Sequence, residues 1–157
     1  MRAHLLVALH RAFDGRSWHG PNLLGAIRGL TPSEAFFHPG ADRHSVYDVV
    51  LHAAYWKYVA RRRLTGERRG SFPVKGSNFF PEPKKKDARA VREARALLEE
   101  THRSLCDAVE ATPDAAFSAR HGRWTAEELI AGVAAHDLYH AGQIQLVKKF
   151  FAERGKR

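Results

Sequence analysis

The stretch TAEELIAGVAAHDLYHAGQIQLVKKFFA, residues 125–152, reads as one long amphipathic helix. Leu129, Val133, His136, His140, Gln143 or Ile144, Val147 and Phe151 recur at alternating steps of three and four, the stripe of a helix packed along one side. Thr125 and Glu128 have the spacing of a capping box, so the helix start is written locally. Two histidines fill positions where the periodicity asks for leucine or valine. Residues four apart differ by about 40° around the axis and about 6 Å along it, so His136 and His140 project side by side. Two imidazoles so placed can close on one ion at roughly 2.0–2.1 Å each.

Working outward, three more long helical patterns appear and no strand-like alternation is sustained over five residues, so the fold class is all-α. One begins at Asp87 and shows Val91, Ala94, Leu98, Thr101, Leu105 and Ala108 before stopping ahead of Pro113. Another opens near Ser45, a suitable N-cap, and runs to Leu64 before Gly66. The first spans Arg2 to Phe13, and a short extra helix opens at Pro21 with Leu23, Leu24 and Ile27 before Gly29. Four helices of this kind form a four-helix bundle, and a chain of 157 residues is the size of one domain, 1–157. The 66–86 connection is irregular, with three prolines and the pair Phe79-Phe80; loops of that length usually carry function, which makes it a candidate lid.

The helix over 45–64 repeats the anomaly of the last one. Val49, His52, Trp56 and Val59 form its inward stripe, so a third imidazole faces the core. Each buried histidine without a partner leaves a polar atom unsatisfied at about 1–3 kcal/mol, and one shared metal resolves all three. Three protein nitrogens leave a coordination position open for water or substrate. Trp56, one turn past His52, is expected to wall the pocket. Tyr139 and Gln143, within a turn of His140, are expected as outer donors, and Asp137 to orient a histidine or bond at the bundle surface. His19, beside Trp18 and Gly20, is a candidate for the pocket mouth. His44 reads as an exposed or capping residue.

Composition closes off other classes. Cys106 is the only cysteine, so there is no internal disulfide and no CxxC pair, and it reads as a small buried hydrophobe. LLVAL near the N-terminus is too short for a signal segment and no apolar run approaches 18 residues, so a cytoplasmic protein without membrane spans is expected. The formal charge is +9, but the excess is scattered over Arg61–Arg63, Arg68, Arg69, Lys84–Lys86, Lys148, Lys149, Arg154, Lys156 and Arg157. Only the 61–69 cluster is dense enough to suggest nucleic acid. No GxSxG elbow, phosphate loop or paired-carboxylate spacing supports serine hydrolase, nucleotide-binding or glycosidase chemistry. HDLYH has the spacing of the HExxH zinc-protease motif, but Asp137 is one methylene short of the glutamate base and no third ligand follows on that helix.

The segment His136-Asp-Leu-Tyr-His140-Ala-Gly-Gln-Ile resembles the last-helix motif of the DinB superfamily, also called DinB/YfiT-like proteins. Trp18-His-Gly-Pro21, His44-Ser45 and Leu51-His-Ala-Ala-Tyr-Trp56 fit the same pattern, so the resemblance covers most of the chain. It implies an up-down-down-up bundle with one metal ligand on the second long helix and two on the fourth. At matching positions these are His52, His136 and His140. It also implies zinc or nickel, with iron or manganese as further options; a homodimer; and, by likeness to thiol-dependent S-transferases and a mycothiol-dependent isomerase, a low-molecular-weight thiol. Three functions follow as expectations. The first is a metal-dependent enzyme acting on a small molecule, either a hydrolase using metal-bound water or a thiol S-transferase. The second is a metal-binding, stress-associated protein without catalysis, and the third a basic helical domain that binds nucleic acid. The sequence names no catalytic residue beyond the ligands.

Overall fold

The computed structural model describes residues 1–154, so the basic residues Lys156 and Arg157 lie outside the described residues. Among the described residues six helices follow in order: α1 Arg2–Phe13, α2 Leu23–Ala26, α3 Pro32–Ala35, α4 Val46–Thr65, α5 Ala88–Ala111 and α6 Ala126–Glu153. A 3-10 turn, Asp114–Ser118, and a two-residue hairpin, Arg120–His121 with Trp124–Thr125, link α5 to α6.

Local signals set most of the ends. Ser45 caps α4, its hydroxyl accepting from the Asp48 amide while the Asp48 carboxylate accepts from the Ser45 amide, and Gly66 closes the helix at φ 74°. Only glycine takes that left-handed conformation without a Cβ penalty. Thr125 and Glu128 form the expected capping box on α6, and the Asp87 carboxylate caps α5. Two expectations are corrected. The satellite helix starts at Leu23 rather than Pro21, because the Asn22 side chain accepts from the Gly25 amide and donates to the Gly15 carbonyl. The α3 helix was not anticipated, although Thr31-Pro32-Ser33-Glu34 carries a capping box with proline at N1.

The four long helices bury two apolar clusters, one at each end of the bundle. Leu5, Leu9, Ala60, Leu105, Val109, Ile130 and Val133 make one. Phe13, Val46, Val49, Val50, Val59, Leu98, Ile144 and Val147 make the other. Thus α1 and α6 begin at the same end and run together, while α4 and α5 end there and run opposite to them: up-down-down-up. Each fully buried Leu, Ile or Val stabilises the packing by about 1.5–3 kcal/mol. The expected inward stripe of α5 shifts by a residue along part of its length, so that Ala90, His102 and Val109 are buried with Ala94, Leu98 and Leu105. On α6 the buried face includes Ile130, Ala134, Asp137 and Ala141 as well as Val133, His140, Ile144 and Val147, while Leu129 and Phe151 are only half-buried. No helix among the described residues is long and apolar enough to cross a membrane.

Candidate metal centre

His52 leaves the middle of α4, and His136 and His140 leave successive turns of α6, so the antiparallel packing of these two helices decides whether the three rings meet. They do. His136 Nε2 lies 3.0 Å from His52 Nε2 and 3.0 Å from His140 Nε2. Two nitrogens bound at ~2.05 Å with a tetrahedral angle between them would stand about 3.3 Å apart, close to what the rings already hold.

The outer ring nitrogens orient the inner ones. His52 Nδ1 donates to the Asn78 carbonyl at 3.1 Å, and His140 Nδ1 donates to Gln143 Oε1 at 2.8 Å. With those protons outside, the Nε2 lone pairs of both rings point inward. His136 Nε2 can carry at most one proton for its two 3.0 Å neighbours, and its Nδ1 is buried without a partner. Three acceptor nitrogens turned toward one point need a cation between them, so the residues present fit a divalent transition metal. Burial, with the neighbouring His140, pulls His52 down to a pKa of about 4; burial, with His140 and His52, pulls His136 down to about 3. Burial also lowers His140, against the Gln143 hydrogen bond that raises it. All three rings are therefore neutral at pH 7, the state in which imidazole ligates.

The irregular 66–86 connection is fastened over this site. Asn78, at φ 66°, turns its carbonyl to His52 and its side-chain oxygen to the Trp56 indole N–H at 3.0 Å. Phe79 stacks between rings, 4.4 Å from His52 and 3.6 Å from His44. Phe80 is buried against Tyr55 and Phe72.

Other anticipated residues sort by position. Gln143 is the direct partner of His140, and Trp56 packs edge-on to His52. Tyr139 is 68% exposed, with its ring edge-on to that of His140. His19 is exposed and lines a cleft against Ala134, Ala135 and Leu138, which leave α6 on a different side from the ligand pair; it is not brought to the triad. His44 is exposed, as expected, but its stack on Phe79 ties it to the site. Asp137 is a correction. It neither touches a histidine nor lies at the surface: it is wholly buried and paired with Lys57, itself wholly buried. Burial pushes its carboxyl up while the Lys57 ammonium works against that. Cys106 is half-buried, and burial pushes its thiol up to about 11.

Sequence reasoning passed over Lys57, His102 and Asn78. Lysine on a mostly apolar helix face was the available signal for the first, since lysine is almost never buried unless paired. In the 61–69 cluster, Arg61 forms a two-pronged contact with Glu67 and Arg62 donates to the Glu67 carbonyl, so part of that charge is consumed within its own turn.

A helical bundle with a three-histidine cluster on its second and fourth long helices is compatible with a metal-binding protein. A family model described as DinB superfamily matches residues 17–144, and the chain belongs to that superfamily. Searches among curated proteins and among solved structures return no match.

Proposed function

We propose that this chain is a metal-dependent enzyme in which His52, His136 and His140 hold one divalent ion, zinc or nickel, and that it acts as a thiol S-transferase. The observation that carries the reading is the convergence of three Nε2 atoms, with the His52 and His140 rings held from outside by Asn78 and Gln143. When bound, the ion supplies a Lewis acid whose remaining position lowers the pKa of a thiol or water placed there.

What this chain contributes is positioning and charge. Three neutral imidazoles leave the full double charge of an ion uncompensated, which favours an anionic fourth partner such as a thiolate. The nearest acid on α6, Asp137, is held by Lys57, so it is not offered as a general base for water. Phe79 and Trp56 place aromatic surface beside His52, which keeps that side of the centre apolar. Exposed Tyr139, Leu146 and Phe150, spaced seven and four apart on α6, give the homodimer a surface to use.

The test is thiol consumption by the metal-loaded chain with a small electrophile. Metal-dependent loss of free thiol, abolished in His136→Ala, is expected. Turnover of an ester without any thiol would favour water as the nucleophile, and neither activity in a fully loaded sample would leave a metal-binding protein without catalysis.

A further inference from the structure

A second group of ligating side chains stands apart from the triad. Between α1 and α5 runs a cleft of ≈ 520 Å³ whose lining includes His10, Asp14, His102 and Cys106. Two of these sit one turn apart at the end of α1, and two sit one turn apart on α5, the arrangement by which facing helices build bundle metal sites. One ligand atom from each of His10, Asp14 and His102 falls within 4.8 Å of the others.

The spacing of the α1 pair is that of ligands on one ion: His10 Nδ1 is 3.5 Å from Asp14 Oδ1, and zinc-type bond lengths at a tetrahedral angle place nitrogen and oxygen about 3.4 Å apart. The other ring nitrogen of His102, Nε2, rests 3.4 Å from Cys106 Sγ, which leaves Nδ1 as the free ligand atom. His102 is also poorly accounted for as an ordinary core residue. It is 4% exposed, stacks on Phe13 at 3.7 Å, and leaves Nδ1 buried without a partner. The surroundings suit a cation even on a chain of net charge +9. Asp14, Glu99, Asp107 and Glu110 line the cleft against Arg103, and although Arg95 and Arg2 reach Glu99 and Glu110, Asp107 has no cationic partner among the described residues. Lys57 lies on the Phe13 ring but is committed to Asp137.

We propose that His10, Asp14 and His102 bind a second divalent transition ion of the zinc class, and that this ion clasps α1 to α5. A mixed nitrogen and oxygen set suits zinc and cobalt and departs from the hard, oxygen-only preference of magnesium and calcium.

The test uses the full chain carrying His136→Ala and His140→Ala, which removes the triad. Titrated with cobalt(II), it should take up one equivalent and melt at a higher temperature. Adding His10→Ala with Asp14→Asn, both exposed and so tolerated by the fold, should weaken binding by more than the roughly 10–100-fold that outer partners are worth. The proposal is overturned if the triad-less chain takes up no cobalt, or if uptake is indifferent to the His10 and Asp14 changes. Wild-type chain loading one ion while the triad-less chain loads none would sink this site and leave the triad standing. One ion retained without the triad and lost with His10 and Asp14 would support this site whatever the triad does.

Discussion

Lys57 donates to the Asp137 carboxylate across the α4–α6 interface with both side chains wholly removed from solvent, and the same two helices carry the three converging histidines. Asp137 follows His136 directly, so the pair fixes how α6 is set against α4 where the imidazoles must meet. The other Asp137 oxygen, Oδ1, has no partner, and Lys57 Nζ also rests 4.8 Å from the Phe13 ring.

Removing one member of a buried pair strands the other charge in the core. Lys57→Met or Asp137→Ala alone should destabilise the fold by about 3–5 kcal/mol, and Lys57→Met with Asp137→Leu should recover most of that loss. Urea unfolding of the singles and the double checks this. Additive losses in the double would mean the two residues act independently.

If the triad holds an ion, Gln143 acts on it through its hydrogen bond to His140. Gln143→Ala frees the ring to rotate and change tautomer, so ion affinity should fall roughly 10–100-fold while the fold is retained. His136→Ala should reduce ion binding further still, since it removes a ligand. Competition titration against a chromophoric chelator ranks the two, and equal affinity in Gln143→Ala and wild type would remove Gln143 from the site.

The lowered histidines link stability to pH in a definite direction. His52, His136 and His102 have their pKa values lowered from 6.5 to about 4, about 3 and about 3, each chiefly by burial. The unfolded chain takes up protons near 6.5 while the folded chain does not, so their contribution is fully present above that pH. It is lost progressively as pH falls toward 3. In metal-free protein, unfolding free energy should therefore fall from pH 7 to pH 5. The imidazole proton resonances of His52 and His136 should hardly shift over that range, and a large shift in either would contradict the burial argument.

Phe79 and Asn78 hold the long connection over the site. Phe79→Ala removes the ring stacked on both His52 and His44, and should speed metal release without unfolding α4. Asn78→Ala places an ordinary side chain at φ 66° and removes the bond to Trp56, at a cost of roughly 1–2 kcal/mol for the backbone conformation. Dissociation rates to excess chelator, together with Trp56 fluorescence, report both changes.

The exposed apolar positions of α6 test the homodimer. If Tyr139, Leu146 and Phe150 form its surface, Leu146→Glu should convert a dimer into a monomer by light scattering. A wild-type monomer at high concentration would end that proposal.

The four long helices, the caps of α4 and α6 and the three converging histidines were legible in the chain because each is a local or periodic property. A serine with aspartate three residues on, a glycine after the last turn, or a histidine in an aliphatic stripe needs no knowledge of distant residues. What only the tertiary structure decided was pairing across helices. Nothing within a few residues of Lys57 says that it meets Asp137, nor does anything near His102 say that it faces His10 and Asp14. Asn78 serves as the partner of His52 from 26 positions away. Periodicity assigns a residue to a face, but the rotation and offset of two packed helices determine which polar groups share a desolvated space, and that depends on the whole core at once.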